Sequence, residues 1–218
     1  MQDTGSVLLV DKPLEWTSFD VVKKLKYGLK IKKIGHAGTL DPLATGLLIL
    51  CTGKKTRQIE SYQAQEKEYT GTFMLGKTTP SYDLETEVNA TYDIGHITET
   101  HILEAAKKLT GWIEQIPPAF SAIKVQGRRA YESARAGKEV QLKPRKVEIK
   151  QFEITNMALP EVSFKIVCSK GTYIRSMARD FGEQLEAGAY LASLRRTRIG
   201  EFRVEDAQTI DQVIKNKG

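Results

Sequence analysis

Twelve residues, Gly35-His36-Ala37-Gly38-Thr39-Leu40-Asp41-Pro42-Leu43-Ala44-Thr45-Gly46, hold a single carboxylate, Asp41. Glycines on both sides let backbone come close to a ligand, and Pro42 fixes the turn that follows the acid. The segment suits neither a helix nor a strand, and rigid loops of this kind are where scaffolds place reacting groups. A carboxylate held there could act as nucleophile, base or electrostatic stabiliser. The same residues also make an ordinary turn, in which an Asp before Pro only shapes the chain.

Several further blocks could serve such a loop: Val10-Asp11-Lys12-Pro13, Lys67-Glu68-Tyr69, Cys168-Ser169-Lys170-Gly171-Thr172-Tyr173-Ile174-Arg175, and Leu194-Arg195-Arg196-Thr197 with Gly200 and Phe202. Together with the loop they resemble, in order and over nearly the whole chain, the TruB-type pseudouridine synthases. That resemblance implies an isomerase acting on uridine 55 in the T loop of tRNA. The reaction breaks the N1–C1′ glycosidic bond, turns the uracil and joins C5 to C1′, which calls for a carboxylate beside the sugar and for no metal, oxidant or other cofactor. The resemblance gives Asp41 that part and leaves open whether it stabilises charge, attacks C1′ or takes a proton from C2′.

By the same resemblance, Arg175 pairs with Asp41, orienting it through forked donors. Tyr69 stacks on the flipped uracil and is placed to move a proton. His36 fills the gap left in the RNA stack by the extruded nucleotide, at a step that otherwise costs a few kcal/mol. Leu194 packs on the uracil, and Lys12 lies near the site in a structural or electrostatic role. Ala37 and Thr45 stand where the family often has Thr and Ser.

The elements that must position these residues are legible in outline. Val7 to Val10 reads as a strand and Ser18 to Lys30 as a helix capped by Ser18, with Val21, Val22, Leu25 and Leu29 on one face and Lys23, Lys24 and Lys26 around the other. Leu47 to Cys51 and Glu66 to Leu75 read as strands, the second carrying Tyr69, and Thr98 to Leu109 as a helix capped by Thr98. Gln115 to Pro144 is rich in turns and basic residues, with a short helix from Arg129 to Ala136, and Lys124 to Lys146 is a candidate RNA contact. Alternation in Val147, Ile149, Phe152 and Ile154 slips by one residue, predicting a bulge near Lys150 and Gln151 in a hairpin with Val162 to Cys168. Tyr173 to Leu185 reads as a helix, and Arg175 in its first turn needs a carboxylate partner because the helix dipole does not favour a cation there.

The expected fold is α/β (α+β): a mixed, largely antiparallel central sheet flanked by helices. Residues 1–205 are expected to form the catalytic domain and 206–218 a short helical tail. Sixteen residues follow Phe202, so the RNA-binding PUA domain often attached to these enzymes is expected to be missing. A charge of +6 and a pI near 9.2 suit a polyanionic partner, taken to be the T stem-loop of tRNA. A monomer without an obligatory protein partner is expected. No signal peptide is evident, and the longest apolar run, Leu47 to Cys51, is too short to span a bilayer, so a cytoplasmic location with no membrane association follows. Cys51 and Cys168 lack CxxC spacing and read as buried free thiols.

Other chemistries fit poorly. Gly53-Lys54-Lys55-Thr56 lacks the first glycine of a phosphate-binding loop and has Lys55 where Ser or Thr belongs. His96 and His101 lack the HExxH arrangement, so a zinc hydrolase is not indicated. A glycosidase needs a second carboxylate, and nothing in the sequence aims Asp83, Glu85 or Glu87 at Asp41. The alternative from another class is a non-catalytic RNA-binding protein or tRNA-folding chaperone. A guide-RNA-directed synthase would need an extra domain for which this chain has no room.

Overall fold

The computed structural model describes residues 4–121, 123–125, 128–136 and 142–217. In chain order the elements are β1 (Val7–Lys12), α1 (Ser18–Gly28), β2 (Ile34–His36), β3 (Ala44–Thr52), α2 (Ile59–Ala64), β4 (Lys67–Leu75), β5 (Lys77–Thr78), β6 (Ala90–Thr91) and α3 (Glu99–Lys108). There follow β7 (Gly111–Gln115), β8 (Lys124–Val125), β9 (Arg128–Arg129), α4 (Ala130–Arg135), β10 (Arg145–Ala158), β11 (Glu161–Cys168), α5 (Ile174–Gln184), β12 (Ala189–Ile199), β13 (Phe202–Arg203) and α6 (Ile210–Lys217). Two compact units contain them: residues 1–70 with 193–218, and residues 71–192.

The first unit is built on a mixed sheet. β1 runs antiparallel to β3, β2 also pairs antiparallel with β3, and the later part of β12 lies parallel to β3 with β13 folded back on it. β3 is apolar nearly throughout because both its faces are covered, the pattern of a central strand. α1 and α6 cover one face through Val21, Val22, Leu25, Ile210 and Val213, packed on Leu8, Val10, Leu48 and Leu50. Leu47, Ile49 and Cys51 point to the other face, against Ile199 and Val204.

α1 begins one residue earlier than its hydrophobic pattern suggests. The cap is Thr17, whose hydroxyl takes the Asp20 amide while Asp20 returns a bond from the Thr17 amide, a capping box. Ser18, expected to cap, turns into the core instead.

The second unit carries an antiparallel sheet in the order β4, β11, β10, β7. The β10–β11 register shifts between Ile149 and Gln151, where alternation slips in the sequence, and again between Ile154 and Asn156. Phe73, Phe152, Phe164 and Phe181 form its aromatic centre, with Phe73 and Phe164 centroids 4.2 Å apart. α5 presents Ile174, Met177, Ala178 and Phe181 to this core. Cys51 and Cys168 are buried thiols, not joined in a disulfide. Among the described residues no helix is long and apolar enough to cross a membrane. Parts of the basic segment Lys124 to Lys146, residues 126, 127 and 137–141, lie outside the described residues.

Candidate active site

Three strands of the first unit put one cation on each side of a glycine. In the sheet register Lys12 of β1 and Arg196 of β12 both lie opposite Gly46 of β3. Gly46 has φ +101°, and a Cβ there would sit 2.3 Å from the Arg196 carbonyl oxygen, so only glycine serves. Both cations are shut from solvent, Lys12 at 0% exposure and Arg196 at 1%.

Their donors go to backbone carbonyls, several of them in the Asp41 loop. Lys12 Nζ donates to the carbonyls of Pro13 (2.8 Å), Trp16 (2.6 Å) and Pro42 (3.3 Å), which uses all three ammonium protons. Arg196 donates from Nε to Leu47 O (2.8 Å), from Nη2 to Gly38 O (3.1 Å) and from Nη1 to Thr39 O (3.4 Å). Ser18 holds Leu40 from both sides, its hydroxyl accepting the Leu40 amide at 2.9 Å and donating to the Leu40 carbonyl at 3.2 Å. The Glu15 amide donates to Pro42 O, and the Ala44 amide donates to Asp41 O at 3.0 Å, closing a turn with Pro42 in its second position. Backbone from Gly38 to Pro42 is thus anchored at every residue, while the Asp41 side chain stays half-exposed. Fixing the main chain so heavily leaves the carboxylate a narrow range of positions, which is what preorganised chemistry needs.

Electrostatics follow from this burial. Lys12 is drawn down to about 8 by desolvation, with the Arg196 guanidinium lowering it further and the Asp41 and Asp20 carboxylates opposing. His36, at the end of β2, is held below its usual value by burial and by Arg196, against a hydrogen bond with the Gly38 backbone. It is therefore a neutral ring at pH 7.

The other expected residues fall as follows. Leu194 lies opposite Ala44 and two residues before Arg196, so it shares the loop-facing side of β12. Tyr69 is buried on β4 in the same unit, beside Glu68, which accepts the Thr197 hydroxyl at 2.8 Å. Arg175 belongs to the second unit, at the first turn of α5. There it is buried, with Nε 3.6 Å from Asp83 Oδ2 and Nη1 donating to Phe120 O at 2.9 Å. A carboxylate partner was required by the helix dipole, and Asp83 supplies one. Asp83 is itself fixed: its carbonyl accepts the Thr79 and Ser81 hydroxyls and its Oδ1 accepts the Glu85 amide at 2.9 Å.

Sequence reasoning missed the parts of Arg196, Ser18 and Asp83. Arg196 was visible as one of a pair of arginines, and its place two residues from Leu194 in an alternating strand could have marked it as inward-facing. Ser18 was hidden by its suitability as a cap. For Asp83 no local signal exists, because only the fold brings it to Arg175.

A pinned loop with one carboxylate, on a mixed sheet flanked by helices, is an arrangement that fits a pseudouridine synthase, an isomerase of uridine in RNA. The chain belongs to the TruB family: residues 26–174 match the TruB family pseudouridylate synthase N-terminal domain and residues 175–217 the tRNA pseudouridylate synthase B C-terminal domain. It is 58% identical over 210 residues to a tRNA pseudouridine synthase B of Flavobacterium johnsoniae, covering 93% of this chain and 92% of that one. It is 54% identical over 213 residues to a tRNA pseudouridine synthase B of Phocaeicola vulgatus, covering 95% and 91%. Among solved structures, a chain of a Cbf5-Nop10-Gar1 complex aligns with a TM-score of 0.76 at 30% identity, over 96% of this chain and 53% of that one. This chain thus spans about half the length of that structural relative. The family and its synthase relatives do not favour the non-catalytic alternative.

Proposed function

We propose that this chain converts uridine 55 in the T loop of tRNA to pseudouridine, with Asp41 as the reacting carboxylate. The observation that carries the reading is the anchored backbone from Gly38 to Pro42, which presents one acid on a fixed loop. Mere RNA binding has no use for such a fixed acid beside a polyanion.

In this reading the target nucleotide leaves its stack and enters the site, and His36, a neutral aromatic ring, occupies the vacated place. Asp41 acts at the sugar as the N1–C1′ bond breaks. The uracil turns against Tyr69 and Leu194, C5 bonds to C1′, and the proton lost from C5 is balanced by one gained at N1. Arg175 is oriented within its own unit by Asp83 and the Phe120 carbonyl. Lys12 acts on the loop and not on the substrate, since its three protons are taken by carbonyls. The chain works in the cytoplasm, as a monomer, with no protein partner or cofactor.

The test is the purified chain with an unmodified tRNA transcript, scored for pseudouridine at each position. Wild type should modify position 55 alone, with added chelator making no difference, and Asp41→Asn should lose at least about a thousandfold in single-turnover rate while binding RNA as well or better. Full activity of Asp41→Asn would remove the assignment.

A further inference from the structure

Six lysines, Lys23, Lys24, Lys26, Lys30, Lys32 and Lys33, fall within α1 and the loop after it, and no acid stands among them. All six are exposed. The whole chain has 33 Lys and Arg against 27 Asp and Glu, so removing these six would leave the two signs balanced. The net positive charge of the protein is therefore equal to that of this one stretch.

Beside it lies an open groove of about 740 Å³ between α1 and α6, lined by Trp16, Lys23, Lys24 and Tyr27 and also by Glu15 and Asp20. Tyr27 is 71% exposed, an aromatic face left to solvent among cations. Asp20 is committed to the helix start through Thr17. The groove is also tied to the catalytic loop: the Glu15 amide donates to Pro42 O, and Lys12 bridges the Trp16 and Pro42 carbonyls. A ligand on Trp16 would lie one residue from the Glu15 amide, which is bonded directly to Pro42, the residue after Asp41.

Exposed lysines interleaved with aromatic faces are the chemistry of a nucleic-acid backbone track, in which cations neutralise phosphates and rings take sugars or bases. We infer that the α1 face bearing Lys23, Lys24 and Tyr27, with the groove it shares with Trp16, binds the sugar–phosphate backbone of the substrate RNA outside the flipped nucleotide. The inference rests on the reading of RNA as substrate. It places a second contact in the same unit as Asp41, separate from the Lys124 to Lys146 segment.

The experiment measures binding of the full chain to an unmodified tRNA transcript at several salt concentrations, for wild type, Lys23→Gln/Lys24→Gln, Tyr27→Ala, and Lys107→Gln/Lys108→Gln. The last removes the same charge from exposed positions on α3. Lys23→Gln/Lys24→Gln should weaken binding roughly tenfold near physiological salt and lower the slope of log affinity against log salt by about 1.5, with the rate at saturating RNA unchanged. Tyr27→Ala should weaken binding about fivefold or more with the slope unchanged, the signature of lost stacking. Isotherms of Lys23→Gln/Lys24→Gln that superimpose on those of Lys107→Gln/Lys108→Gln would overturn the inference, because the effect would then be one of net charge alone. Pseudouridine is scored in the same samples: its absence with wild type would overturn the functional reading, while the isotherms still decide the surface.

Discussion

Lys12 and Arg196 lie in the same unit as Lys23 and Lys24, yet the two pairs serve opposite ends. The first pair is sealed from solvent and gives its donors to carbonyls around the Asp41 loop, so its charge is consumed in shaping backbone. The second pair stands in solvent, and the nearest acid in sequence, Asp20, is committed to the helix start through Thr17, so its charge remains available to an outside anion. Burial turns a cation into a positioning device and exposure leaves it a recruiting one, because desolvation makes unsatisfied donors costly and water screens satisfied ones.

The sharpest way to break this contrast is to crowd the glycine that separates the buried cations. Gly46→Ala adds a Cβ that would meet the Arg196 backbone, at a φ of +101°. A loss of about 3 kcal/mol or more in urea unfolding is expected. A neutral result would mean that β3 and β12 can separate without consequence.

Arg196→Lys keeps the charge and discards the fork that reaches the Gly38, Thr39 and Leu47 carbonyls together. Single-turnover rate should fall roughly 10- to 100-fold with RNA affinity nearly unchanged, since misplacing a reacting group is felt chiefly in the transition state. Equal loss of affinity and rate would make Arg196 part of the RNA surface instead.

Lys12 offers a test by pH. Its folded value of about 8 lies below the 10.5 of an unperturbed lysine. Below pH 8 the ammonium is charged in both states and its burial cost is fully present. Between about pH 8 and 10.5 the folded protein releases the proton while the unfolded chain keeps it, so this group's contribution to stability rises with pH, by at most about 1.4 kcal/mol per unit. Lys12→Met should flatten that rise when urea midpoints at pH 7.5 and 9.5 are compared with wild type.

The smallest effect concerns the frame of the exposed pair. Thr17→Ala removes the hydroxyl that takes the Asp20 amide at the start of α1, and should cost about 1 kcal/mol in thermal unfolding without altering the rate at saturating RNA. A change in that rate would show that the α1 start, through Ser18 and Leu40, governs the loop more tightly than its hydrogen bonds imply.

Much of this molecule was determined locally. The apolar stripe of α1, the Thr98 cap of α3, the slip at Ile149 and Gln151 in β10, and the Asp41-Pro42 turn all follow from neighbours a few residues away, and each is found in the structure. The ordered family blocks carried the candidate site as well. What the sequence could not decide was which of two adjacent hydroxyls would cap α1. Thr17 and Ser18 are locally equivalent, and only the approach of Leu40 draws Ser18 inward. Nor could it place Lys12, Gly46 and Arg196 abreast, because that register depends on a parallel pairing between strands 149 residues apart, measured from Leu47 to Arg196. The partnership of Arg175 with Asp83 is of the same kind. Local periodicity reports which face a side chain takes, whereas the carbonyls that satisfy a buried cation are supplied by distant chain, and only the folded core brings them within 3 Å or so of its donors.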